Sequence, residues 1–296
     1  IQSKKNVCAT FNFFSIIDSS ELHFINAKLE NNDYLKNNYY NNKLLLTKKN
    51  KIKIAYYSAD FYNHPVSNHI VELIEKHDRN KFEIIGFSFN SVQDKTKERL
   101  ISAFDKFIDV EKKSIDEIIN LSKKLEIDIA IDLMGYTENN RFLIFENRCA
   151  PIQINFLGFP GTTGSKNMDY IIADDSVINK TEIINYSEKI IYLPTSFMVT
   201  DTKRKPSKRL FNYKNYEFPM DSIILCSFNK YYKITPKIFN IWCNILRKFE
   251  KTVLWLSTNN LGGSENLIKE IEKNIKEING SQDFIGDLLT EYVDNI

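Results

Sequence analysis

The chain has 296 residues, 43% hydrophobic and 26% charged, with a formal net charge of +2. That length suits one large domain or two medium ones, and the composition is that of an ordinary soluble globular protein. It lacks the clustered basic excess of a nucleic-acid binder, and no apolar run approaches the roughly 20 residues of a membrane-spanning helix.

In chain order, residues 1–50 read as irregular and rich in Asn, Lys and Tyr, with Ser19, Ser20 and Glu21 capping a helix to about Glu30. From residue 51 short apolar strands alternate with helices. Strands are predicted over 51–58, 82–89, 107–110, 127–133, 152–157, 170–173 and 189–193. Helices are predicted over 66–77, 96–104, 114–125 (Ser114 as N-cap) and 141–147. This rhythm predicts a parallel sheet covered on both faces. A polar, basic, two-proline stretch, "PTSFMVTDTKRKPSKR", then reads as a linker. After it the rhythm restarts. Strands are predicted over 222–228 and 252–256, a helix opens at Thr235-Pro236 and runs to Phe249, and Ser264 caps another helix to about Ile278.

The loop ends of these strands carry the candidate chemistry. The first strand runs into "SADFYNHP", which offers Asp60, Asn63 and His64 at the end of a parallel strand, where α/β proteins place ligands. His64 can act as a base or a hydrogen-bonding group, or simply cap a helix. The fourth strand runs into "DLMGYT", followed by Arg141 and Arg148, which suit a phosphate, an acidic side chain or plain solvation. Asp128 and Asp132 share a strand face, with Asp128 alternatively an exposed strand end. The fifth strand runs into "LGFPGTTG", which holds three of the nine glycines. Such a loop can turn backbone N–H groups toward an anion, or be only a tight turn. Lys230 and Lys233 precede a helix, where a phosphate can bind.

Other chemistry is argued against. The dinucleotide fingerprint GxGxxG and the P-loop pattern are missing, which disfavours a nicotinamide dehydrogenase. The four histidines have no zinc spacing, and no D-x-D triplet offers paired carboxylates for a divalent metal. Cys8, Cys149, Cys226 and Cys243 are scattered without a CxxC pair and read as reduced, buried thiols of a cytosolic protein. The chain begins at Ile1 with no signal peptide, so a piece of a longer protein is expected.

Taken together, "DFYNHPVSNH", "DLMGYTENNR", "RCAPIQINFLGFPGTTGSKNMDYIIAD", "YSEKIIYLP", "FNKYYKI" and "ILRKFEKTVLWL" resemble the catalytic region of the O-linked N-acetylglucosamine transferase and SPINDLY family, from about Asp18 to Ser257. The resemblance implies an α/β protein of GT-B type, with two Rossmann-like domains, the C-terminal one truncated here. The expected division is an N-terminal helical and irregular segment over 1–50, a Rossmann-like catalytic domain over 51–200, a linker over 201–220, and the start of the nucleotide-sugar-binding domain over 221–296. Tetratricopeptide repeats are expected upstream and a cytoplasmic location follows.

The implied activity is metal-independent, inverting transfer of a sugar, N-acetylglucosamine from UDP-GlcNAc, to Ser or Thr hydroxyls of proteins. The partners are then a nucleotide-sugar donor and a protein acceptor, with no other cofactor, no nucleic acid and no membrane. By resemblance His64 positions the acceptor or acts as base, and Lys233 stabilises the departing diphosphate. Tyr232 lies beside it. Gly135, Tyr136 and Thr137 face the cleft, with Arg141 following them, and Pro160, Gly161 and Thr162 line the sugar and phosphate pocket.

Two departures are visible. Lys230 stands where glutamine is common in the family, and the later motif of paired threonines and a histidine that grips the nucleotide is missing from the chain. Residues 1–296 alone are therefore expected to be inactive. The rival readings are an O-fucosyl or Asn-glucosyl transferase of the same family, and a non-catalytic domain that holds a partner.

Overall fold

Seven of the predicted apolar segments become strands of one parallel sheet. The computed structural model describes residues 8–35, 44–46, 48–205, 221–229, 233–249 and 251–256. The chain divides into two compact units, Ile1–Arg204 and Lys205–Ile296.

In the first unit, helices α1 (Thr10–Phe13) and α2 (Ser20–Leu35) come before the sheet. Then follow β1 (Ile52–Ser58), α3 (Pro65–Lys76), β2 (Phe82–Ser88), α4 (Lys95–Ala103), β3 (Lys106–Asp109), α5 (Ile115–Lys124), β4 (Ile129–Asp132), α6 (Leu143–Glu146), β5 (Ile152–Asn155), β6 (Tyr170–Ala173), a 3₁₀ turn (Lys180–Asn185) and β7 (Lys189–Tyr192). The strand order is β3-β2-β1-β4-β5-β6-β7, and every neighbouring pair is parallel.

Period-two alternation places the core on both faces of the sheet. On β1, Ile54 and Tyr56 join the cluster with Ile84, Ile131 and Ile154, while Ala55 and Tyr57 join the opposite one with Ile85, Phe87 and Ala130. Strands covered on both faces are the reason these segments read as nearly continuous apolar runs.

The helix starts follow from capping. Ser114 and Glu117 form the full reciprocal capping box of α5. Asp94 caps α4 through Lys97 N, 2.8 Å away. His64, in extended conformation, caps α3, whose first residue is Pro65.

Residues 8–35 are more ordered than their sequence suggests. The predicted helix continues to Leu35, a further helical turn precedes it, and both join the core of the unit. Phe13 and Ala27 are buried, and Asn31 Nδ2 donates to Glu146 Oε1 at 2.8 Å. Asp128 is a second difference. It is buried rather than an exposed strand end, because Lys49 Nζ (2.9 Å) and the Lys53 N–H (2.9 Å) both reach its carboxylate.

The second unit contains β8 (Ile223–Ser227), α7 (Pro236–Lys248) and β9 (Thr252–Leu256), with β8 and β9 paired in parallel. Thr235 caps α7 ahead of Pro236, as its sequence predicts. Phe239 and Cys243 are the buried residues of α7. All four cysteines are free thiols; Cys149 and Cys243 are buried and Cys8 is half-buried. Cys226, expected to be buried, is exposed, because β8 belongs to a two-stranded sheet that leaves its side chain uncovered. Residues 206–220 of the expected linker, Lys230, Tyr232 and the helix expected over 264–278 lie outside the described residues. Among the described residues no helix is long and apolar enough to cross a membrane.

Candidate active site

The sheet order reverses between β1 and β4, since β2 and β3 extend one way from β1 and β4 to β7 the other. In open α/β sheets such a switch point opens a crevice at the carboxyl ends of the strands. Three loops end there: residues 59–64 after β1, 133–140 after β4 and 156–164 after β5.

The β1 loop is coiled by two short backbone bonds, Tyr62 N to Asp60 O at 2.8 Å and His64 N to Tyr62 O at 2.7 Å. These bring Asp60 Oδ2 to 3.5 Å from His64 Nδ1. The neighbouring loop after β2 braces this coil. Asn90 Nδ2 donates to Ala59 O, Asn63 N donates to Asp94 Oδ2 at 2.6 Å, and the buried Lys97 amine holds Asn90 O at 2.7 Å. Burial pulls the Lys97 amine below its ordinary pKa. Burial raises the Asp60 carboxyl, and the adjacent His64 ring draws it back down. His64 itself stays half-exposed.

The β4 loop is folded around Asp132. Its carboxylate is wholly buried and accepts the N–H groups of Met134 (2.9 Å) and Gly135 (3.1 Å). Burial lifts its pKa to about 7 and the two N–H bonds oppose that rise. Gly135 has φ +50°, and a Cβ there would sit 2.4 Å from Phe159 Cβ. The Tyr136 hydroxyl donates to Thr163 O at 2.6 Å, tying this loop to the next. Ser58 Oγ and Ala59 N both reach Met134 Sδ, at 3.2 and 3.3 Å, tying it to the β1 loop.

The glycines of the β5 loop make room for the protein's own atoms. A Cβ on Gly158 would lie 1.8 Å from Leu133 O, and one on Gly161 would lie 2.2 Å from Phe14 Cζ. Asn155 Nδ2 holds the carbonyls of Phe159 (3.2 Å) and Gly161 (3.0 Å). The buried Glu188 holds the other end: it accepts Thr162 Oγ1 at 2.7 Å, Thr163 N at 2.6 Å, and the Thr163 hydroxyl.

The expected site residues therefore divide. His64, Thr137 and Pro160 keep solvent-accessible surface. Tyr136, Gly161 and Thr162 are buried and engaged by neighbouring loops. Arg141 donates to the carbonyls of Val110 and Lys113 at 2.9 Å each and to Glu111 O, with its guanidinium over the Phe89 ring. These bonds anchor a loop through three of the guanidinium's five N–H groups. Arg148 makes a two-pronged pair with Asp169, at 2.8 and 2.9 Å. Lys233 is exposed in the second unit, just ahead of the Thr235 cap. Sequence reasoning missed Asn90, Asp94, Lys97, Asn155 and Glu188. Asn155 lay inside the motif "RCAPIQINFLGFPGTTGSKNMDYIIAD" and Glu188 inside "YSEKIIYLP". Among the described residues, no group of three or more His, Cys, Asp or Glu is placed to hold a metal ion.

The profile of glycosyl transferase family 41 matches residues 24–210 and 202–281. The chain belongs to glycosyl transferase family 41. Among its family 41 relatives, the probable UDP-N-acetylglucosamine–peptide N-acetylglucosaminyltransferase SEC of Arabidopsis thaliana is 38% identical over 213 residues, covering 70% of this chain and 22% of that protein. The UDP-N-acetylglucosamine–peptide N-acetylglucosaminyltransferase of Caenorhabditis elegans is 35% identical over 159 residues, covering 51% and 13%. The probable enzyme named SPINDLY of Oryza sativa is 27% identical over 202 residues, covering 65% and 21%. This chain thus spans about a fifth or less of the length of these relatives. In fold it matches a mutant of the Thermobaculum terrenum O-GlcNAc transferase, with a TM-score of 0.75 at 22% identity over 89% of this chain and 52% of that one. The expected α/β architecture of GT-B type, with a parallel Rossmann-like sheet, is borne out.

Proposed function

We propose that the protein carrying this chain transfers N-acetylglucosamine from UDP-GlcNAc to Ser or Thr hydroxyls of proteins, with inversion and without a metal. One observation supports this most: the accessible His64, braced at the switch point of the sheet in a family 41 chain. The names of the relatives at 38% and 35% identity support the donor.

In this reading His64 sits on the acceptor side. It positions the hydroxyl and accepts its proton as the oxygen attacks the anomeric carbon. Lys233, with Lys230 and Tyr232 near it in the sequence, stabilises the negative charge growing on the departing diphosphate. Preorganised charge of this kind commonly lowers the barrier more than any other single effect. Thr137 and Pro160 supply accessible wall. Gly135, Tyr136, Gly161 and Thr162 contribute by holding the walls in place. Arg141 acts through the loop it anchors. The protein is cytoplasmic and presents its acceptors through upstream tetratricopeptide repeats. Residues 1–296 alone turn over poorly, because the paired-threonine motif that grips the nucleotide is missing from them.

The test is mass spectrometry of acceptor proteins incubated with the full-length protein and a panel of nucleotide sugars. An N-acetylhexosamine increment on Ser or Thr is expected. A deoxyhexose increment, an increment on Asn, or no transfer from any donor would each refute the proposal. The last would favour a partner-binding domain.

A further inference from the structure

Nδ1 of His64 faces two groups with opposite demands. The Val66 N–H, 3.4 Å away in the first turn of α3, needs a lone pair on that nitrogen. Asp60 Oδ2, 3.5 Å away, needs a proton there. A neutral imidazole carries one proton, so both cannot be satisfied. If Val66 prevails, the proton sits on Nε2, and the outer nitrogen is a donor. If Asp60 prevails, Nδ1 carries the proton and Nε2 is a base.

The surroundings favour Asp60. A hydrogen bond to a carboxylate is roughly twice as strong as one between neutral groups, and the two contacts, 3.4 Å to Val66 and 3.5 Å to Asp60, are both long, so distance does not favour Val66. The backbone of Asp60 is fixed on both sides. Its N–H donates to Ser58 Oγ at 2.9 Å, and its carbonyl accepts from Ser67 Oγ and Tyr62 N. Among the described residues, His64 is the ion-pair partner of the Asp60 carboxylate. Of the other charged groups around this loop, the Lys97 amine is held by Asn90 O, and Asp94 and Glu138 are acidic. Asp94 accepts from Asn63 N, and Asp60, Glu138 and Asp94 together hold the Tyr62 hydroxyl above its ordinary pKa after burial has raised it. Tyr62 lies with its ring 5.6 Å from that of His64. A carboxylate beside Nδ1 favours an imidazole that turns an N–H inward.

We propose that Asp60 is the positioning residue of His64, holding the Nδ1 proton so that Nε2 presents its lone pair to the acceptor hydroxyl. This rests on the reading of His64 as the acceptor-side base. In the step it serves, Nε2 takes the hydroxyl proton while the oxygen bonds to the anomeric carbon. The carbon–oxygen bond to the diphosphate breaks, and the diphosphate leaves with the electron pair. Asp60 stays ionised throughout and stabilises the imidazolium, as the aspartate of a Ser-His-Asp triad does.

The test uses the full-length protein labelled with ¹⁵N-histidine, in its native form and as Asp60→Asn, Asp60→Glu and His64→Asn, the last to assign the His64 signals. The native His64 is expected to show a protonated Nδ1 and a bare Nε2. In Asp60→Asn the two should exchange, with kcat lower by about 100-fold and KM for donor and acceptor little changed. Asp60→Glu should restore the native tautomer and part of kcat. A native Nε2-protonated ring, or an Asp60→Asn enzyme with unchanged kcat and tautomer, would overturn the proposal. Should Asp60→Asn fail to fold, the native and Asp60→Glu tautomers still decide. The nitrogen signals need no turnover. An Nδ1-protonated ring in a protein that transfers no sugar, or whose His64→Asn variant is fully active, would refute the functional reading and leave the positioning geometry standing.

Discussion

The loops after β1 and β5 end at the same edge of the sheet, yet they spend their polar atoms differently. In the β5 loop the threonine side chains are bound to Glu188, the carbonyls of Phe159 and Gly161 are bound to Asn155, and the glycine faces press on Leu133 and Phe14. In the β1 loop the backbone is equally braced, but the His64 ring stays half-exposed beside a single carboxylate. A glycine-rich loop looks like ligand chemistry in a sequence. Here its glycines serve close packing, and the accessible histidine sits in the loop that has no glycine.

The contrast predicts that damage to the β5 loop appears in stability, and damage to the β1 loop in turnover. The largest stability effect is expected at Gly158. Alanine there puts a methyl group against the Leu133 carbonyl, with backbone on both sides and no flexible side chain to yield. Overpacking of this kind costs about 3 kcal/mol, and a denaturant melt of Gly158→Ala should show it. A midpoint within error of the native protein would refute the packing explanation.

Next comes Glu188→Ala, which strands the buried Thr163 N–H and the proton of its hydroxyl, while the Thr162 hydroxyl keeps Ser187 Oγ at 3.1 Å. A loss of about 2 kcal/mol is expected from the unpaired groups. Glu188→Gln, which keeps an acceptor, should lose less. Equal losses in the two variants would argue against a hydrogen-bonding role.

A further effect is expected in the pH dependence. Burial raises the Asp132 pKa to about 7, so between the ordinary carboxylate range and that value the folded state binds more protons than the unfolded state. Stability from this group is therefore full at low pH and falls as pH rises toward 7. Melting temperatures of native protein and Asp132→Asn, compared at pH 5 and pH 8, should show the native protein losing more on going to pH 8. A parallel fall in both would remove Asp132 as the cause.

Much of the fold could be read in the chain. The β–α rhythm, the Ser114 and Thr235 caps and the return of the pattern after the linker all appear in the structure, because periodicity and capping are local properties. The place of His64 between a strand end and a helix start was legible for a similar reason. What stayed hidden was long-range. Nothing near Gly161 announces that Phe14, nearly 150 residues upstream, fills the space over it. The partners of Arg141 are backbone carbonyls, which leave no mark on the sequence. Lys97 and Asn90 likewise brace the His64 loop from another strand connection.

The most direct test is the sugar-transfer rate of full-length His64→Asn beside its melting curve. Asparagine is among the best helix caps, so it retains the start of α3 while removing the base. The account predicts a kcat lower by about 100-fold or more with an unchanged melting temperature. Transfer at the native rate by a folded His64→Asn protein would contradict it.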